Sequence, residues 1–265
     1  MRLGSTVLSG LGLAALLAGS DAGAQTPVDV ELVLAVDMSQ SMDAGEHELQ
    51  RSGYLAALLH PDVLGAIKSG IHGRVAITYV EWGGPLSQAV RVPWTLVEDE
   101  GSARGLAAAL AAEPIRTIRG TSISGALAFA ASLFEANGYD GFRRVIDVSG
   151  DGPNSTGRPV APTRDAVLAQ GLIVNGLPIM LREPGYTPWS IPELDIYYAD
   201  CVTGGPGSFV LPVDEPTQLA DAIRQKLVLE IAGTPPTLMP ATASAHTPRI
   251  DCLIGEKLRQ RWGYP

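Results

Sequence analysis

The chain has 265 residues, of which 46% are hydrophobic, and a formal net charge of −9. That length is enough for one α/β domain with a full core. The acidic charge is spread along the chain with no basic run, which argues against nucleic acid and against anionic membrane surfaces as partners. It is compatible with binding cations.

The first residues read as an export signal. Met1-Arg2 is a short positive start, Leu3 to Gly19 is apolar and small, and Ala22-Gly23-Ala24 is a small-x-small cleavage site. A signal peptide is expected over 1–24, with the mature chain starting at Gln25 and periplasmic or secreted. An uncleaved anchor is the alternative. No cysteine adjoins the cleavage site, which argues against a lipoprotein. No later stretch reaches the roughly 20 apolar residues that span a bilayer, so no membrane insertion is expected after cleavage. The two cysteines, Cys201 and Cys252, are an even count in an exported chain and so predict a disulfide. Two buried free thiols are the alternative; a two-cysteine metal site lacks nearby histidines.

In chain order, Val28 to Val36 is an apolar run suited to a strand covered on both sides. It ends in Asp37-x-Ser39-x-Ser41, either a turn closing a strand or three oxygen ligands of the kind that hard divalent cations take. Glu46 to His60 reads as a helix, with a break at His60-Pro61 and further helical turns to Gly70. Arg74 to Trp82 is a strand, and Ser87 to Trp94 folds back on it as an antiparallel hairpin whose Pro93 belongs on an edge. Helices are expected over Glu98–Ala112 and Thr121–Asn137, a strand over Arg143–Ser149, a helix over Pro162–Gly171 and a strand over Leu172–Ile179. Then follow a helix at Ile191–Ala199, a short strand at Gly207–Pro212 and a long helix at Glu215–Ile231. A Pro-, Thr- and Ala-rich linker over Gly233–Thr247 leads to a last helix within Asp251–Arg261. Strands alternating with helices predict a doubly wound, mainly parallel, six-stranded Rossmann-like sheet with one antiparallel edge strand and helices on both faces.

In such sheets ligands bind beyond the carboxyl ends of the strands. Three loops gather there. One carries Asp37, Ser39 and Ser41, one opens a helix at Thr121, and one carries Asp151 just past a strand end. Taken singly, Thr121 reads as a helix N-cap and Asp151 as a turn former before Gly152.

Together these residues resemble the von Willebrand factor type A domain and its metal-ion-dependent adhesion site. Asp37, Ser39 and Ser41 match that site's Asp-x-Ser-x-Ser, Thr121 its loop threonine, and Asp151 its Asp-Gly turn. The resemblance covers about Val28 to Ile231. The phrases Asp147-Val148-Ser149-Gly150-Asp151-Gly152 and Asn175-Gly176-Leu177-Pro178 are similar to an uncharacterised group of exported bacterial type A-like proteins. The domain is placed at 25–231, with a C-terminal extension, 232–265, tied back by Cys201–Cys252.

The resemblance implies Mg2+, or Mn2+ or Ca2+, held by Asp37, Ser39, Ser41, Thr121 and Asp151. Neutral hydroxyls leave such an ion residual positive charge, and an open position can take an Asp or Glu side chain of a protein partner. Asp147, a carboxylate inside a strand, is either a supporting acceptor for the site or half of a structural ion pair. A non-enzymatic, metal-dependent binding domain is therefore expected. The alternatives are an exported metal-dependent hydrolase and a structural module that has lost its metal. For the hydrolase the chain offers neither Gly-x-Ser-x-Gly nor His-Glu-x-x-His. Its four histidines, His47, His60, His72 and His246, are isolated in sequence.

Overall fold

A computed structural model describes residues 25–181, 190–233 and 248–262. The expected signal peptide and nearly all of the expected linker lie outside the described residues. Among those described, five strands form one mixed sheet in the order β3-β2-β1-β4-β5. β1 (Thr26–Asp37) is central, parallel to β2 (Val75–Trp82) on one side and to β4 (Tyr139–Gly150) on the other. β5 (Ile173–Pro178) runs parallel to β4, and β3 (Gln88–Val97) runs antiparallel along β2 at the edge. Every residue of β2, and β1 from Val28 onward, is buried. The unbroken apolar reading of β1 has this cause: a strand between two others, covered above and below, has no solvent side to alternate with.

The sequence predicts six strands, and here it is corrected. Gly207–Pro212 runs parallel beside β5, but only isolated bridges join them, Gly176 to Val210 and Ile179 to Val213. The Gly176 N–H donates to Phe209 O, Leu211 to Gly176 O, Val213 to Pro178 O and Met180 to Val213 O. The missing rung is the N–H of residue 178, which is proline and has none. A second boundary also moves. β4 starts at Tyr139, earlier than the expected Arg143, because Glu31 of β1 accepts the Gly141 N–H at 2.8 Å and Asn137 Oδ1 accepts that of Tyr139 at 2.9 Å.

Alternate residues of β1 feed two apolar clusters. Val30, Leu32, Leu34 and Val36 pack with Tyr54 of α1 (Ala44–Leu58), Ile67 of α2 (Pro61–Lys68), Leu106 of α3 (Glu100–Ala112) and Leu227 of α7 (Leu219–Ala232). Val33 and Ala35 pack with Leu127 of α4 (Ile123–Ser132), Val167 of α5 (Val160–Leu168) and Tyr197 of α6 (Leu194–Tyr197). Cys201, in a π-helical turn after α6, is bonded to Cys252 and ties down α8 (Ile254–Arg261). No helix among the described residues is long and apolar enough to cross a membrane.

Two charge networks lie inside this frame. Glu81 of β2 is held between Arg51 of α1 and Arg91 of β3. Lys226 of α7 meets Glu230 and lies 2.6 Å from Asp147 Oδ1. Burial pushes the Asp147 carboxyl up, against the opposing pull of Lys226. Burial, with the Asp147 charge added to it, pushes Glu230 up to about 7.

Two outcomes are expected. Cys252→Ser removes the closure of a 51-residue separation, lowering the denaturant midpoint by the equivalent of about 4 kcal/mol in the chain-entropy account. The second concerns pH. An acid whose folded-state pKa is raised contributes stability below its unfolded pKa and loses it as pH rises through the folded value. For Glu230 the window runs from its ordinary 4.5 up to about 7. Thermal midpoints measured across that window should fall with rising pH more steeply for the natural chain than for Glu230→Gln.

Candidate metal centre

The site is built at the carboxyl ends of β1, the central strand, and its parallel neighbour β4. Asp37 ends β1 with no exposed surface. Its Oδ1 accepts the Ser39 N–H at 2.7 Å, a closed local turn that fixes the carboxylate. Its Oδ2 is buried and has no hydrogen-bond partner among the described residues. Ser39 Oγ lies 2.7 Å from Ser41 Oγ, and Ser41 Oγ donates to Asp151 Oδ1 at 2.5 Å. One chain of contacts thus runs from the first loop to the loop after β4.

Thr121 is set by its backbone. The Ser122 N–H donates to Gly83 O at 2.7 Å, past the end of β2. Thr121 O accepts the N–H groups of Ser155 and Thr156, at 3.0 and 3.2 Å, from the Asp151 loop. The N-cap of α4 is Ser122, whose Oγ accepts the Gly125 N–H at 3.1 Å, so capping does not account for Thr121. Thr121 instead lines a cleft of about 580 Å³ together with Ser41 and Asp151.

The electrostatics are unfavourable for the bare protein. Burial, and then the charge of Asp151, push the Asp37 carboxyl well above the usual carboxylate range. Tyr198, buried after α6, has its hydroxyl pushed up by burial and by the charges of Asp37 and Asp151. Gly150 makes room for this crowding. A Cβ there would lie 2.9 Å from both Asp37 Oδ2 and Tyr198 Oη. A buried carboxylate beside a half-buried one, with hydroxyls next to them and one oxygen of Asp37 without a hydrogen-bond partner among the described residues, suits a hard divalent cation. Among the described residues no three His, Cys, Asp or Glu side chains cluster for a metal; a cation here would rest on hydroxyls as much as on carboxylates.

The structure brings Asp37, Ser39, Ser41, Thr121 and Asp151 to one place. Asp147 is elsewhere: it pairs with Lys226 of α7, while Val33 and Ala35, on Asp37's side of β1, pack in the other cluster. Sequence reasoning missed Tyr198, Asn154 and Arg259. Asn154 links the Asp151 loop to the start of α4 by accepting the Ser124 N–H at 3.0 Å. The phrase Pro153-Asn154 held a polar loop signal, but nothing local indicated its partner.

The fold is that of a von Willebrand factor type A domain. Similar solved structures include proximal thread matrix protein 1 from the mussel byssus, with a TM-score of 0.57 and 14% identity over 78% of this chain and 49% of that one. Another form of that mussel protein is described with a zinc-occupied MIDAS motif (TM-score 0.54, 11% identity, covering 77% of this chain and 46% of that one). The von Willebrand factor type A protein from Catenulispora acidiphila gives 0.52 and 16% over 77% and 43%. BatB from Bacteroides thetaiotaomicron gives 0.52 and 20% over 77% and 100%. The chain spans less than half the length of the mussel and Catenulispora chains. Residues 27–235 match the family described as "Protein of unknown function (DUF1194)", and the chain belongs to it. No curated protein matches the chain.

Asp37→Asn keeps the oxygen that accepts from Ser39 and removes the buried charge. With metal withheld by chelator, this variant is expected to melt higher than the natural chain by roughly 2–4 °C, the shift about 1 kcal/mol makes in a domain of this size. Calorimetric scans of the two proteins side by side decide it; an equal or lower melting point means that the two carboxylates do not strain the metal-free fold.

Proposed function

We propose that the protein is an exported, non-enzymatic binding domain that captures a carboxylate of a protein partner through a divalent cation. The observation that carries this reading is the contact chain Asp37–Ser39–Ser41–Asp151 at the end of the central strand, with Thr121 on the same cleft. Ser39, Ser41 and Thr121 would supply hydroxyl oxygens, and Asp37 and Asp151 carboxylates, bound directly or through water. The ion favoured is Mg2+, with Mn2+ and Ca2+ as alternatives. It would neutralise the two facing carboxylates and keep enough positive charge to attract a third from outside. The zinc-occupied MIDAS motif of the mussel protein supports metal binding on this fold. Neighbours named as an adhesin and a matrix protein support a binding role over a catalytic one. The apolar, small-residue start of the chain supports export.

The test is a titration of Mg2+, Mn2+ and Ca2+ into the natural chain and into Asp37→Ala. The natural chain should release or absorb heat and melt higher with at least one ion, by RT ln(1 + [L]/Kd). Asp37→Ala should show neither response. No heat and no thermal shift in the natural chain would refute metal binding. A phosphatase and esterase screen should stay silent; metal-dependent turnover lost in Asp37→Ala would make the protein a hydrolase instead.

A further inference from the structure

The cleft that holds the candidate ligands has a wall of different origin from the rest. α8 lies beyond residue 235, where the family match ends. Its Arg259 lines the cleft with Arg119, from the loop before Thr121, alongside Ser41, Thr121 and Asp151. In a chain of net charge −9, this cleft has two guanidinium groups and a single carboxylate among its described lining residues.

The placement of α8 is built rather than incidental. The Cys201–Cys252 bond anchors its approach, and the Tyr197 hydroxyl reaches Cys252 O at 3.5 Å. Gly255 packs so close to the Asp151 loop that a Cβ would lie 2.1 Å from Asn154 O. Glu256 Oε1 accepts from Asn154 Nδ2 at 2.7 Å, and Asn154 Oδ1 accepts the Ser124 N–H at 3.0 Å. The helix bearing Arg259 is therefore in register with both loops that present Asp151 and Thr121.

We infer that the cleft selects a peptide segment carrying two carboxylates a few residues apart. One completes the divalent cation, the reading on which this inference rests; the other is taken by Arg259 and Arg119. A guanidinium offers a rigid fork of donors that matches a carboxylate with two parallel hydrogen bonds, where an ammonium would act as a point charge. A cleft of about 580 Å³ is within the roughly 300–1,000 Å³ typical of sites that enclose a small ligand, here a few residues of an extended segment. A partner with one acid satisfies the metal alone. A partner with two also satisfies the arginines, and the difference in affinity between them is the specificity.

The experiment is selection of displayed short random peptides on the whole chain in Mg2+, repeated on the R119A/R259A double variant, on R259A and on G255A. Peptides from the natural chain should carry two acidic residues, and changing either acid to its amide should weaken binding about tenfold. Selections on R119A/R259A and on G255A should keep one acid and lose the preference for a second. G255A acts without removing an arginine, by pushing α8 off Asn154; if it fails to fold, R259A still decides. Peptides with a single acid from the natural chain, or a second acid that persists in R119A/R259A, would overturn the inference. Selected two-acid peptides are then measured with chelator. Binding that survives chelation yet still drops in R259A overturns the metal reading alone and leaves the arginine wall standing.

Discussion

The end of the sheet is organised by one unfavourable placement, that of Asp37. A carboxylate without exposed surface, at the end of the central strand, stands close enough to Asp151 for the two charges to repel. The fold tolerates this because the local backbone compensates part of it. The Ser39 N–H is fixed on Oδ1, Ser41 holds Asp151, and Gly150 leaves the second oxygen of Asp37 unobstructed. Without a metal, burial and this repulsion favour the neutral acid at Asp37. On the proposed reading a hard divalent cation would offset the repulsion, and the cost carried by the metal-free fold would become affinity for the ion.

The other buried charges show the contrast. Glu81 has a guanidinium on either side, and Asp147 has the ammonium of Lys226 at 2.6 Å. Both are solved within the chain, by residues brought from α1, β3 and α7. Ser149, one residue before Gly150, is likewise met by Gln50 Nε2 at 2.9 Å. Removing one partner from such a pair costs more than the pair itself contributes, since it leaves a charge stranded. These networks hold helices on the sheet. Asp37 differs: its Oδ2 is buried without a hydrogen-bond partner among the described residues, and that separates it from the carboxylates that only support the fold.

Much of this was legible in the sequence, for definite reasons. The apolar run Val28–Val36 announces a central strand, because only burial on both sides permits it. Asp37-x-Ser39-x-Ser41, Thr121 and Asp151 were legible because each sits at an element end, where spacing and type carry the chemistry. The sixth strand was not. Gly207–Pro212 has a strand's composition, but its ladder fails at Pro178, a residue in its neighbour. Asp147 was legible as anomalous and not as paired, since Lys226 is 79 positions away and no local pattern joins them (226 − 147). Arg259 and Asn154 were silent for the same reason: their roles come from a packing contact between distant segments.

That last point bears on how recognition is divided in this molecule. Two of the candidate ligand loops follow β1 and β4, each held on both edges by neighbouring strands, so the sheet fixes where they begin. Arg259 instead hangs from α8, outside the sheet, held by the disulfide, the close Gly255 contact and the Glu256 bond to Asn154. A rigid ion site would accept any accessible carboxylate, and affinity alone cannot choose among acidic partners. Choice requires a second contact at a fixed distance from the first, on an element whose position is set independently of the ion. α8 has this property: Glu256 and Gly255 set its position against Asn154, while its arginine reaches the same cleft as Ser41 and Asp151.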